Sequence, residues 1–177
     1  GNFVGERVDQ PTERNIIAGN EFSGLYIEGA NSNYVYGNYI GLALNATGAI
    51  VPLGNSGPGI EISNSSRNEV GDTGVPLRRN VVSANSGAGI RLSGGGSDGN
   101  VIRGNYIGTN DTGTAELAGQ EVGVLIEAGA RNNRLIGINT APLVISGHTG
   151  YGVRIRGLNT GGNVIAGAYI GTNYLGA

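Results

Sequence analysis

Asn100 to Gly108 reads NVIRGNYIG, and the reading of this stretch decides the fold. Near copies stand at Asn33 to Gly41 (NYVYGNYIG) and at Asn163 to Gly171 (NVIAGAYIG), 67 and 63 residues away. Recurrence at a long, nearly fixed period marks a repeat architecture, in which each unit buries its apolar face against the next.

A second pattern, Gly-φ-x-φ with φ apolar, interlocks with the first. It stands at Gly24-Leu25-Tyr26-Ile27, Gly59-Ile60-Glu61-Ile62, Gly89-Ile90-Arg91-Leu92, Gly123-Val124-Leu125-Ile126 and Gly152-Val153-Arg154-Ile155. Its glycines are 35, 30, 34 and 29 residues apart, so a long and a short unit alternate. The period-two alternation within each segment predicts a short half-buried strand. Nine to eleven residues after each glycine comes an asparagine, at Asn33, Asn68, Asn100, Asn133 and Asn163, with a second apolar strand directly behind it. Asparagine tolerates the left-handed backbone region and its amide bonds to nearby turns, so this column reads as a stacked corner.

A third strand follows in every unit. The long units carry Tyr-Ile-Gly at Tyr39, Tyr106 and Tyr169 and then a polar excursion such as Gly108 to Gly113, while the short ones carry Asn80 to Ser83 or Leu143 to Ser146. The opening residues match the short pattern, Asn2 to Gly5 against Asn68 to Gly71. Three strands per unit and recurrent asparagine corners describe an all-β fold, a β-solenoid of five to six coils with long and short coils alternating.

At this point the residues resemble the right-handed, single-stranded parallel β-helix repeat family, shared by pectin-degrading enzymes, phage tailspikes and many bacterial surface proteins. The resemblance covers the whole chain and rests on Gly-φ-x-φ together with Asn-φ-φ-x-Gly-Asn. It implies a solenoid interior of stacked Ile, Val and Leu, among them Ile27, Ile62, Leu92, Ile126, Ile155, Val101, Ile102 and Ile165.

Composition agrees and narrows the function. A chain of 177 residues with 35 glycines and 5 prolines, and no strict glycine triplet, is turn-dense without being collagen. Its 11 basic residues are all arginine against 13 acids, a net charge of −2, which leaves no basic footprint for nucleic acid or an anionic membrane. Cysteine is absent, excluding disulfides and thiolate chemistry, and no apolar run approaches the roughly 20 residues of a membrane span. Methionine is absent too, position 1 included, and no basic and apolar leader opens the chain. We expect one domain over residues 1–177, a mature or excised stretch of a longer array whose open ends invite end-to-end self-association.

Stacked coils turn recurrent residues into rows about 4.8 Å apart. The outward row Tyr26, Glu61, Arg91, Leu125 and Arg154 predicts ion pairing of Glu61 with Arg91, and of Glu127 with Arg156 two positions on. The asparagine column is expected to be structural, its amides satisfying one another. Tyr39, Tyr106 and Tyr169 fall in one row at every second coil, roughly 10 Å apart. They are the candidate glycan contact, with packing at the coil surface as the other reading.

The enzymes of the resembled family imply motifs that can be checked here. Polygalacturonase-like glycosidases carry Asn-Thr-Asp, Asp-Asp, Gly-His-Gly and Arg-Ile-Lys. Thr109-Asn110-Asp111 scrambles the first, Asp-Asp is absent, Gly147-His148-Thr149 departs from the third, and Arg154-Ile155-Arg156 only resembles the last. Pectate-lyase-like chemistry needs clustered acids for calcium and a basic residue to take a proton, whereas Asp9, Asp72, Asp98 and Asp111 are scattered. Gly94 to Asp98 is an imperfect, single copy of a calcium-binding nonapeptide and reads as a turn, and His148 is the only histidine. No metal or cofactor is expected.

These readings favour a non-catalytic structural or binding module of a secreted or cell-surface protein, stalk- or adhesin-like, with polysaccharide as the candidate partner. The alternative is a carbohydrate-active lyase or glycosidase, or the solenoid part of one, with Asp111, His148 and Arg154 as candidates. A threonine ice-binding face would be incomplete, because Leu42 stands where Thr109 and Thr172 recur.

Overall fold

The computed structural model describes residues 1–5, 14–117 and 119–177. The chain is a parallel β-solenoid of about five turns with three sheets as its faces. One turn runs through all three in order, as in Val101–Arg103, Tyr106–Ile107 and Val122–Glu127. The first sheet stacks Phe3–Gly5, Tyr34–Tyr36, Glu69–Val70, Val101–Arg103, Arg134–Ile136 and Val164–Ala166, all parallel. Asp9, one of the scattered aspartates, lies outside the described residues.

Period-two alternation builds the interior. In the third sheet Leu25, Ile60, Ile90, Val124 and Val153 align in one row and Ile27, Ile62, Leu92, Ile126 and Ile155 in another. The first sheet contributes Val4, Val35, Val70, Ile102, Leu135 and Ile165, and the second Ile17, Ile40, Val82, Ile107, Ile145 and Ile170. In the middle coils these side chains are fully buried and form one core. Val101 faces outward instead, half-buried next to the inward Ile102, because neighbouring strand residues point to opposite faces.

The long and short coils differ in where the extra residues go. Long coils pass from the first sheet to the second in a tight corner, then raise a hairpin between the second and third. The first hairpin pairs Leu42–Leu44 with Ile50–Pro52, and the second has a single bridge, Thr109 with Glu116. The same turn follows the second-sheet strand of each long coil, with Gly48, Gly113 and Gly176 donating to the carbonyls of Asn45, Asn110 and Asn173 at 2.9–3.0 Å. The short coil at Glu69–Val70 has its excursion at the opposite corner, through a helical turn at Pro76–Arg78.

Candidate functional site

Each of the three corners carries its own ladder of side-chain amides. Between the third and first sheets the rungs are Asn2, Asn33, Asn68, Asn100, Asn133 and Asn163, each Nδ2 donating to the next Oδ1 at 2.9–3.0 Å. The backbone N–H of each donates to the same oxygen, so one carbonyl satisfies two donors of the coil before it. The predicted column is thus a continuous structural ladder. The second corner adds Asn15, Asn38, Asn80 and Asn105, linked at 2.9 Å.

The third corner holds a ladder that spacing of asparagines did not reveal, because two of its rungs are other residues. Asn20 donates to Asn55 at 2.7 Å and Asn55 to Asn85 at 2.8 Å, after which the contacts stretch: Asn85 to Gln120 at 3.5 Å and Gln120 to His148 at 3.4 Å. This ladder explains the glycine of Gly-φ-x-φ. A Cβ on Gly24, Gly59, Gly89 or Gly123 would lie 2.5–2.8 Å from Asn55, Asn85, Gln120 or His148 in turn. Only glycine leaves the amide its seat.

The left-handed residue of the first corner is the one before the asparagine, not the asparagine itself. Ser32, Arg67, Gly99, Asn132 and Gly162 have φ between 55° and 68°, immediately before Asn33, Asn68, Asn100, Asn133 and Asn163. At the third corner Gly19, Ala84, Gly119 and Gly147 also have positive φ, from 62° to 138°, immediately before Asn20, Asn85, Gln120 and His148. Gly-Asn dipeptides and their relatives Gly119-Gln120 and Gly147-His148 were therefore the available signal for the third ladder.

Tyr39, Tyr106 and Tyr169 do share one row of the second sheet, alternating with Val81 and Val144. That row lies beneath the hairpins. Tyr106 is 4% exposed and packs with Leu42, Val81 and Val144 in a second apolar cluster, with Tyr39, Tyr169, Ile50 and Leu117 at its margin. The Arg79 guanidinium lies 3.9 Å from its ring centre, and Gly113 of the hairpin turn sits so close that a Cβ there would approach the ring to 2.7 Å. Arg14 covers Tyr39 at 5.0 Å. Burial accordingly raises the Tyr106 and Tyr39 hydroxyls above the usual tyrosine range.

On the outer face of the third sheet Glu61 accepts from Ser23 at 2.7 Å and from Arg91 at 2.8 Å, and Arg91 reaches on to Glu127 at 2.7 Å. Glu127 also binds Arg156 at 2.6 Å. Burial alone would raise the Glu127 carboxyl, but the hydrogen bonds from Arg156 and Arg91 outweigh it and hold the group below the usual carboxylate range.

The three described aspartates stay apart. Asp72 pairs with Arg78 at 3.2 Å, Asp98 contacts Arg131 at 3.5 Å, and Asp111 is exposed in the second hairpin. Gly94 to Asp98 forms the turn before the first ladder, with Ser97 Oγ donating to the Ser93 carbonyl at 2.6 Å. Arg154 leans over Tyr151, 5.0 Å from the ring centre. Among the described residues no three His, Cys, Asp or Glu side chains gather as a metal site, and no helix is long and apolar enough to cross a membrane.

Two clefts remain. One, of about 480 Å³, lies at the third corner of the first coils and is lined by Phe22, Tyr26 and Pro58 with Glu21, Ser23 and Glu61. Phe22 is 79% exposed and Tyr26 51%. The other, of about 310 Å³, brings His148, Glu116 and Ser146 together beside the second hairpin. Burial pulls the His148 imidazole down to about 4.

No family model, no curated protein and no solved structure matches the chain.

Proposed function

We propose that the chain is a non-catalytic structural and binding module of a secreted or cell-surface protein, made of parallel β-helix repeats and contacting glycan through the Phe22–Tyr26 groove. What supports this reading is how the polar groups are used. The amides buried at the corners are engaged by the adjacent coil, whereas Phe22 and Tyr26 stand exposed in one groove beside Glu21 and Glu61. Aromatic faces stack on the apolar faces of sugar rings, and neighbouring carboxylates accept from sugar hydroxyls. The tyrosine row, by contrast, anchors the hairpins. Location outside the cell rests on the resemblance to surface-protein solenoids.

A carbohydrate-active enzyme is the second reading, favoured by His148 and Glu116 lining one cleft. Glycoside hydrolysis requires two positioned carboxyl groups, and among the described residues that cleft holds one. A glycan-array screen, run beside release assays on pectin and alginate with and without calcium, separates the two. Binding without release, weakened roughly tenfold or more by Phe22→Ala, is the expected result. Release of product from any polymer would overturn it.

A further inference from the structure

We propose that His148 is a pH-sensitive rung: its protonation breaks the third ladder between the fourth and fifth coils and loosens the turn that closes the cleft beside it. The third ladder has a polarity. Every rung passes an N–H₂ to the oxygen of the next, and Gln120, which accepts from Asn85 through Oε1, therefore turns its own Nε2 toward His148 Nε2. An amide nitrogen offers only hydrogens, so His148 Nε2 must present its lone pair and the ring proton sits on Nδ1. That Nδ1 is buried and has no hydrogen-bond partner.

Adding a proton makes Nε2 a donor facing a donor. The ring cannot easily move aside. It is seated on two glycines, with Cβ atoms built on Gly108 and Gly123 falling 2.7 and 2.8 Å from imidazole atoms. The acids on the segments packed against it are Glu116, in the same cleft, and Glu121, whose carbonyl holds Gly150 and Tyr151 at 3.0 Å. Neither forms an ion pair with His148, and burial alone accounts for the lowered basicity of the ring, to about 4.

The sign follows from linkage. The folded imidazole resists protonation more than the unfolded one, whose value is about 6.5, so the unfolded chain takes up more protons between about pH 6.5 and 4. Stability is complete at pH 7 and declines as the pH falls through that window. The amides nearest the break are those of Thr149 and Gly150, bonded to the carbonyls of Gln120 and Glu121 at 3.2 and 3.0 Å.

The test is an NMR titration of the His148 ring in the intact chain, together with pH-dependent unfolding of the wild type and of His148→Asn, which restores an amide rung. We expect the Nδ1–H tautomer at pH 7, titration near 4, and a folding constant that drops on the order of a hundredfold between pH 7 and 4. The drop should be smaller in His148→Asn, and exchange of the Thr149 and Gly150 amides, corrected for intrinsic rates, should accelerate at pH 4.5. A ring protonated on Nε2, a titration near 6.5, or equal pH dependence in both proteins would overturn the proposal. The wild-type titration decides by itself should the variant not fold.

Discussion

The first and third corners do the same job with different materials. At the first corner six asparagines repeat one geometry, 2.9–3.0 Å at every step. At the third, Asn20, Asn55 and Asn85 start at 2.7–2.8 Å, then Gln120 and His148 take over at 3.4–3.5 Å. A uniform ladder satisfies each buried amide from one coil to the next, and it fixes register because a slipped strand would leave the amide unpaired. A mixed ladder keeps the stacking but brings in a group that titrates. Repetition secures the fold, and a departure from repetition is the place to look for response.

The largest effect expected from breaking this comparison is at the uniform ladder. Asn100→Ala removes four side-chain hydrogen bonds, two accepted from Asn68 and two donated, to Ser65 and Asn133. It strands buried partners, each costing about 1–3 kcal/mol, so urea unfolding should show a loss of about 3–5 kcal/mol. Next comes the seat of the mixed ladder. A Cβ on Gly89 would meet Gln120 Nε2 at 2.5 Å, Ile107 Cγ2 at 2.6 Å and the Gly123 carbonyl at 2.8 Å. Gly89→Ala should cost about 1–3 kcal/mol through overpacking, read in the same experiment.

Smaller effects belong to the outer face. Arg91→Ala breaks the chain from Glu61 to Glu127, and because the pair is partly exposed the loss should be about 1 kcal/mol or less and shrink in high salt. Glu127 adds an acid limb to the pH profile. Its carboxyl is held down in the fold, so its contribution is present at neutral pH and disappears as the pH falls below the ordinary carboxylate range; Glu127→Gln should flatten that part of the curve. The smallest stability effect is expected for Phe22→Ala, within about 0.5 kcal/mol, since its ring is 79% exposed. The same substitution is expected to weaken glycan binding, which separates the groove from the ladders.

Much of the architecture was legible in the sequence because stacking repeats every physical constraint. The Gly-φ-x-φ segments became the third sheet, the asparagine column became the first ladder, and Glu61 with Arg91 and Glu127 with Arg156 became neighbours in register. What was not legible required knowing what lies across a corner. The spacing of Tyr39, Tyr106 and Tyr169 gives their row but not the hairpins folded over it, since Gly113 and Arg79 approach Tyr106 from other parts of the chain. His148 read as a lone histidine because its column is spelled Asn, Asn, Asn, Gln, His. The clue lay in the glycines: in the first four Gly-φ-x-φ segments, Gly24, Gly59, Gly89 and Gly123 each mark a seat for the ladder side chain of the next coil.

The corner ladders, rung by rung, hold the coils together, and hydrogen exchange of the asparagine side-chain N–H₂ groups, followed by NMR, tests this. The expected result is that Asn68, Asn100 and Asn133 exchange only through global opening, at the rate of the neighbouring Ile102 and Leu135 amides, while the exposed Asn31 exchanges freely. Fast exchange of the buried rungs while the strand amides stay protected would contradict it, because the coils would then be held by backbone pairing and apolar rows alone.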